Sequence, residues 1–451
     1  MRFSTGGRFS VSKYGDLAQG IIDSIHRGDY RRGDTLPSLR QLVQQYGVGL
    51  NTARRTYYEL ERLGYVEARP RSGYVVAAAA DGLGEAGGAA LGAPFIQPAL
   101  YDTRPLNHAF IAAMRHYAQA LAEPALAGLP ALRRQIVQQA YAEGWEVHAD
   151  EVLVTCGGME ALSLAIAAVT HGVAQPRVAV LLPAFPGLLG GLAEQGVAVL
   201  PLVLAADGSV DTRELVVALA GGEVQALALM SAYGHPHGRS LPAATRQQLL
   251  ALAQRYDIAI IEDDAYRWLG FDDRLPLPMK AADRDGRVLL CGTFSKSLAP
   301  GYRVGWLLPG RYGERARRLK LAQTLASPLP NQLALAEMLA GGRHQAGLRR
   351  LRQQLAQRVG ELEARLRPTL PAGATLQAAE GGYFVWLSGI PADCVQLAAD
   401  AQRHDIQLAP GTLCQPDAAG RHALRLNASY FDASQQPALD WLARAMRRPA
   451  G

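Results

Sequence analysis

Lysine is scarce in this 451-residue chain. Of 46 Lys+Arg residues only four are lysines: Lys13, Lys280, Lys296 and Lys320. A chemistry that requires an amine nucleophile therefore has few places to reside. Cysteine is equally rare, and Cys156, Cys291, Cys394 and Cys414 lie far apart. No pair has metal-ligand spacing and no disulfide framework emerges, which leaves buried or inert thiols and no expected metal site. Long apolar runs are lacking too. Stretches such as Ala161–Val169 fall well short of the ~20 residues that a membrane span needs. The opening Met-Arg-Phe-Ser-Thr-Gly-Gly has no apolar core of the signal-peptide kind. A cytoplasmic protein is the expectation.

What is present is a globular composition, 49% hydrophobic and 19% charged, on a chain long enough for two or three domains. The net charge of +6 is unevenly placed. Residues 1–76 hold twelve Lys+Arg against seven Asp+Glu, an excess of five, so the remainder is nearly neutral. Such asymmetry points to an N-terminal module facing a polyanion.

Residues 10–76 read as three helices and a hairpin. Leu17, Ile21, Ile22 and Ile25 recur at helical spacing over Tyr14–Arg27. Ser38, after Leu36-Pro37, is a candidate N-cap for a second helix with Leu39, Leu42, Val43 and Tyr46 on its apolar face. Gly47 breaks the pattern, and Asn51–Leu63 resumes it until Gly64. Tyr65–Ala68 and Gly73–Val76 are short strands joined through Arg69-Pro70-Arg71-Ser72. Residues 77–94 are almost entirely Ala, Gly and small polar residues, so a flexible linker is expected there. From 95 to 451, short β runs alternate with helical stretches, implying an α/β domain with a mostly parallel sheet. Its last part, from about Leu329, is helix-rich with strands at Tyr383–Leu387 and Ala423–Leu426, a smaller α+β subdomain.

Two helices hinged at a glycine and followed by a basic hairpin make a winged helix-turn-helix, whose second helix presents its N-terminal residues to the major groove. Those residues are Leu50, Asn51, Thr52, Arg54 and Arg55. Arginine pairs bidentately with guanine and asparagine with adenine. Arg40 and the wing residues Arg69 and Arg71, with Gly73 closing the wing, are placed for phosphates or the minor groove. A winged helix used only for protein contacts is the competing reading; the basic excess and these side chains weigh against it. LPSLRQLVQQYGVGLNTARRTYYELERLGYVEARPRSGYVV resembles the winged-helix domain of GntR-family regulators over about 65 residues. Leu-Pro-Ser, the Gly-Val turn, Asn-Thr-x-Arg-Arg, Glu-Arg-Leu-Gly and the Arg-x-Gly wing carry the likeness. The resemblance implies binding to a double-stranded DNA operator. Leu50 departs from it, standing where a polar or basic residue is common.

Four segments of the large domain belong together. In Thr155–Leu162 glycines precede a helix, an arrangement that can hold a phosphate, although Gly-Gly before a helix is also ordinary turn chemistry. In Ile258–Tyr266 an apolar strand ends in Glu262-Asp263-Asp264. Three acids there require a cationic partner for at least one, unless the loop is simply solvated. In Gly292–Trp306 one of the four lysines, Lys296, follows a buried strand among hydroxyl residues, with Arg303 seven positions on. In Ala423–Asn427 an arginine, Arg425, sits inside an apolar strand and needs an anion.

These segments resemble fold-type I pyridoxal-phosphate enzymes, specifically class I aminotransferases, over roughly residues 125–445. The resemblance implies that Lys296 forms an aldimine with pyridoxal 5'-phosphate (PLP), that Asp263 pairs with the pyridine nitrogen, and that Tyr266 hydrogen-bonds the phenolic oxygen. Phe185 would stack on the ring. Gly158, Met159, Thr293, Ser295 and Arg303 would hold the phosphate, and Arg425 would grip an α-carboxylate. Two positions depart from the family. His235, in His235-Pro236-His237-Gly238, replaces an asparagine that normally touches the phenolic oxygen; a turn histidine without a role is the plainer reading. Glu123 stands roughly where a tyrosine usually reaches the partner subunit's phosphate. These departures put efficient transamination in doubt while leaving cofactor binding expected.

A GntR winged helix fused to an aminotransferase-like domain resembles the MocR subfamily of regulators along nearly the whole chain. That implies a homodimer and a transcription regulator that responds to PLP or an amino-acid-like effector. A working aminotransferase with an accessory DNA-binding domain is the alternative.

Overall fold

The computed structural model describes residues 13–26, 29–30, 33–62, 65–69, 73–76, 89–116, 124–272 and 275–447. The chain divides into two compact units, 1–87 and 88–451.

The N-terminal unit has three helices, α1 (Lys13–His26), α2 (Leu39–Tyr46) and α3 (Leu50–Arg62), and a hairpin of β1 (Val66–Arg69) and β2 (Gly73–Val76). Ser38 and Gln41 cap α2 reciprocally: Gln41 N donates to Ser38 Oγ at 3.4 Å, and Ser38 N donates to Gln41 Oε1 at 2.7 Å. The expected periodic residues Leu17, Ile21, Ile22, Ile25, Leu42 and Leu60 are all buried in one core. The Tyr57 hydroxyl donates to the Pro37 carbonyl, and its ring stacks on Tyr74 of the wing at 4.2 Å. The recognition helix and the wing are thus fastened through one side chain.

The C-terminal unit is built on a seven-stranded sheet: β3 (Leu153–Thr155), β4 (Arg177–Leu182), β5 (Ala198–Val203), β6 (Ala226–Leu229), β7 (Ala259–Asp263), β8 (Val288–Thr293) and β9 (Gly305–Leu308). Spatial order is β3-β9-β8-β7-β6-β4-β5. Strands β4 to β8 run parallel, and β9 lies antiparallel between β8 and β3. Every residue of the central strands β6, β7 and β8 is buried, as expected of strands covered on both faces, whereas edge strand β5 exposes alternate residues. A second sheet, in order β10-β11-β13-β12, has β10 (Thr375–Leu376), β11 (Phe384–Ser388), β12 (Ala409–Pro410) and β13 (Leu424–Asn427), all antiparallel. It packs with the helices Arg343–Leu366, Cys394–Gln402 and Gln436–Ala445 into the smaller subdomain.

One sequence expectation needs correction. A flexible linker was expected over 77–94, yet residues 89–94 are part of the C-terminal unit. Ala89 bridges to Ile406, and Leu91 and Ala93 are buried. Their composition misleads because this stretch fills no core of its own; it lies in a narrow slot. A Cβ on Gly92 would come within 2.5 Å of the Leu408 backbone. Residues 77–88 of the expected linker lie outside the described residues, as do Arg71, Gly64 and Glu123. Among the described residues no helix is long and apolar enough to cross a membrane.

Candidate functional site

On the N-terminal unit, the start of α3 leaves Leu50, Asn51, Arg54 and Arg55 exposed, while Thr52 is half-buried. This follows from the helical repeat, since Ala53, Thr56, Tyr57 and Leu60 take the inner face. Arg55 leans over the Tyr14 ring at 5.9 Å, and Thr56 Oγ1 ties α3 to α1 through the Tyr14 carbonyl. Arg40 and Arg54 make no ion pair with other described residues. Arg69 lies 3.7 Å from Glu67, with both side chains more than half exposed, a pair of little energetic weight. Gly73 begins β2 on the exposed side of the wing. Tyr58, 67% exposed on α3, belongs to this face and went unremarked in the sequence.

In the C-terminal unit, the ends of β7 and β8 deliver Asp263 and the Thr293–Ser297 turn to the carboxyl edge of the parallel strands, where ligands of such sheets bind. Asp263 is buried, and its Oδ1 accepts from Ala265 N at 3.1 Å. Burial pushes its carboxyl up to about 6, against the pull of Lys296. Lys296 is also buried. Its amine is pushed down to about 8 by burial, partly offset by Asp263, with Arg425 and Arg303 adding to the fall.

The acid cluster separates into three roles. Glu262 accepts from the Ser231 hydroxyl and from Met279 N and Lys280 N at 2.8 and 3.0 Å. The cation expected from the sequence is Arg267, and it pairs with Asp264 at 2.7 Å and with Glu143 at 2.6 Å. Asp263 makes no ion pair among the described residues.

A ring of donors stands beside the lysine turn. Helix Gly158–Thr170 starts after Gly157 without a side-chain cap, so the first N–H groups, at Gly158 and Met159, lack intrahelical partners. Arg303 Nη1 donates to Ser295 Oγ and Nη2 to the Cys156 carbonyl, both at 3.2 Å. Thr293 Oγ1 and Ser295 Oγ are 3.0 Å apart. A Cβ on Gly157 would lie 2.6 Å from Arg303 Nη2, so the glycine leaves this cradle open. A guanidinium, two hydroxyls and a helix N-terminus suit a phosphate; Glu160, in the first turn of that helix, accepts from Cys156 N and is paired with Lys320 at 2.9 Å.

Phe185 and His235 meet edge to face at 5.7 Å, and His235 lies roughly parallel to Tyr266 at 6.2 Å. His235 is turned toward the small subdomain: its Nε2 is 3.3 Å from Arg425 Nη1 and its Nδ1 4.0 Å from Cys414 Sγ. Burial, reinforced by Arg425, holds its imidazole well below the usual histidine range, so Nε2 is an acceptor for the guanidinium. Arg425 Nη2 donates to the Gly92 carbonyl at 2.9 Å, Phe384 lies under its plane at 4.5 Å, and Nε is buried with no partner. Buried guanidinium without an anion marks a place for a carboxylate.

The sequence reading missed Tyr383, whose hydroxyl is 3.0 Å from Lys296 Nζ and 3.2 Å from Tyr266 Oη. The Gly381-Gly382 pair ahead of an apolar strand was the only mark of it. Phe95 was missed as well; its ring faces Lys296 Nζ at 4.8 Å.

Residues 13–76 match the family described as bacterial regulatory proteins, gntR family, and residues 101–435 match aminotransferase class I and II. YdcR of Escherichia coli K12, an HTH-type transcriptional regulator, is 33% identical over 449 residues, 93% of this chain and 96% of its own. TauR of Rhodobacter capsulatus, also an HTH-type transcriptional regulator, is 28% identical over 474 residues, covering 96% of each chain. An archaeal alanine:glyoxylate aminotransferase of known structure has a TM-score of 0.73 over 79% of this chain and 90% of its own, at 23% identity, a likeness of fold. The chain therefore belongs to the GntR family of bacterial transcription regulators, in the MocR-type group that fuses the winged helix to an aminotransferase-like domain.

Proposed function

We propose that this regulator binds PLP at Lys296 and that the occupied site, with or without an amino-acid-like effector, sets its affinity for an operator. One observation carries the reading. A buried amine, a buried carboxylate without an ion pair among the described residues and a phosphate-type donor cradle converge on one sheet edge. Lys296 would hold the cofactor covalently, Asp263 would face its ring nitrogen, and Arg303, Ser295, Thr293, Gly158 and Met159 would hold its phosphate. Phe185 would cover one ring face. Tyr266 and His235 would face the ring's phenolic side. When bound, PLP supplies an aldehyde that condenses with amines and a ring that withdraws electrons.

The residues of this chain do the rest. Burial leaves a share of Lys296 amines unprotonated and nucleophilic near neutral pH. Arg425 orients a ligand carboxylate, and its unpartnered Nε supports that role. Only a ligand that favours one arrangement of the protein shifts the DNA-binding state, and the shift is reciprocal. A homodimer presents two winged helices, so an operator with two half-sites is expected.

Borohydride reduction of the PLP-treated protein and peptide mapping place the label; a label on Lys280 or Lys320 overturns the assignment. Operator titrations of wild type, Lys296→Ala and Arg425→Ala, with and without PLP, test the sensor. Identical curves and identical DNA bending with and without PLP, together with turnover of an amino acid, favour an aminotransferase instead.

A further inference from the structure

Tyr383 is fully buried and precedes β11, where the small subdomain faces the lysine turn. A phenol has one proton to give and two lone pairs to offer. Tyr383 Oη lies 3.1 Å from the carbonyl of Pro94, which can only accept, so the tyrosine proton goes there. Tyr266 Oη and Lys296 Nζ are then the donors to its lone pairs, at 3.2 and 3.0 Å. All three positions of the hydroxyl are taken, and among the described residues the amine has one hydrogen-bonding partner.

Pro94 is part of the stretch by which the chain enters the C-terminal unit. That stretch is also held by Arg425 at Gly92 and by Asn427 Nδ2 at the Ala93 and Phe95 carbonyls, 2.9 and 2.7 Å away. Lys296, through Tyr383, and Arg425, directly, are therefore both tied to one short backbone segment.

We infer that Tyr383 is a positioning residue for Lys296, fixing the place of its amine and tying it to the backbone at Pro94. The inference rests on the proposed role of Lys296. An ammonium donating to a buried hydroxyl is favoured over the neutral amine, so losing the hydroxyl lowers the pH at which Lys296 titrates. The charged groups facing the amine, Asp263 from β7 with Arg303 and Arg425, are untouched by a change at Tyr383.

The test uses the full-length, cofactor-free protein as wild type, Tyr383→Phe and Tyr266→Phe. Acetic anhydride labelling across a pH series, read by mass spectrometry of the Lys296 peptide, gives the titration midpoint. Tyr383→Phe is expected to lower it by about one pH unit, and Tyr266→Phe to move it far less. Hydrogen exchange at Gln97, whose amide donates to Ser429 Oγ at 2.9 Å, is expected to quicken about fivefold in Tyr383→Phe as the segment loosens. An unmoved midpoint in folded Tyr383→Phe, or equal shifts in both variants, overturns the inference. If Tyr383→Phe does not fold, Lys296→Ala carries the test: removing the donor must quicken exchange at Gln97, and an unchanged rate overturns it. Failure of the Lys296 role itself appears separately, as a borohydride label elsewhere in the wild type.

Discussion

Replacing Gly157 by alanine should weaken PLP binding by displacing Arg303. Gly157 has φ +79 and ψ 177, a region that is essentially closed to residues with a Cβ. Its substitution costs about 1–3 kcal/mol of backbone strain. The new methyl would also lie 2.6 Å from Arg303 Nη2 and 2.9 Å from its Cζ. A free arginine end would swing away, but this one is held by Ser295 Oγ and the Cys156 carbonyl on a residue itself at φ +48. It must give up at least one of these contacts and leave its place over the cradle. A hydrogen bond to a charged group contributes about 1.5–3 kcal/mol, which corresponds to about tenfold to hundredfold in affinity. Absorbance titration of PLP into wild type and Gly157→Ala measures it. Gly222→Ala, also at positive φ (+70) but with nothing within 4 Å of its Cβ, is the control for strain alone. Gly157→Ala affinity within about twofold of wild type would refute the cradle.

Three further outcomes are expected. Arg54→Ala should cost about 1–3 kcal/mol on the operator and little on random DNA, as read by fluorescence anisotropy at fixed salt; equal losses on both would contradict base reading. Because burial holds Lys296 at about 8, its capture of PLP should accelerate with pH as the amine deprotonates and level off above about pH 8–9. An ordinary lysine would go on accelerating to about pH 10.4, and such a profile in stopped-flow absorbance would count against the buried environment. Asp264→Asn leaves the 2% exposed Arg267 with Glu143 as its one ion pair among the described residues and should cost about 1.5–3 kcal/mol in urea unfolding; a loss under about 0.5 kcal/mol would mean that the pair adds nothing net.

The winged helix was legible because its core is local: capping residues, helical spacing and a glycine break all fall within about 65 residues. Asp263 and Thr293 end apolar strands, and Ser295, Lys296 and Arg303 follow in the loop before β9; the local pattern marks that polar end of the sheet, and the roles expected of these residues came from the family resemblance. What escaped was formed by tertiary closure. Tyr383 meets Pro94 across 289 positions, and Arg267 meets Glu143 across 124. No local pattern announces such pairs. The 89–94 stretch was misread for a related reason: Leu91 is its one large apolar side chain, the partners that bury it are remote in sequence, and small residues that permit close approach look like those of a loose tether.

On the proposed reading, the surroundings of Arg425 bear on regulation. Among the described residues no carboxylate pairs with it; its partners are His235 Nε2 and the Gly92 carbonyl, both neutral. An asparagine in place of His235 would offer its amide oxygen as acceptor, whereas here a ring nitrogen of the neutral imidazole takes that part, 3.3 Å from Arg425 Nη1. On the proposed reading, a carboxylate ligand that takes Arg425 bidentately competes with both acceptors. Each bond it displaces reduces its net gain, and the one at Gly92 is a bond to the entry segment. The ligand's affinity and the seating of residues 92–95 are then linked, and whatever loosens one must alter the other by the same free energy. An enzyme that turns over its substrate gains nothing from such a linkage, since it lowers affinity without favouring a transition state. A regulator needs a ligand that distinguishes two arrangements of the same chain.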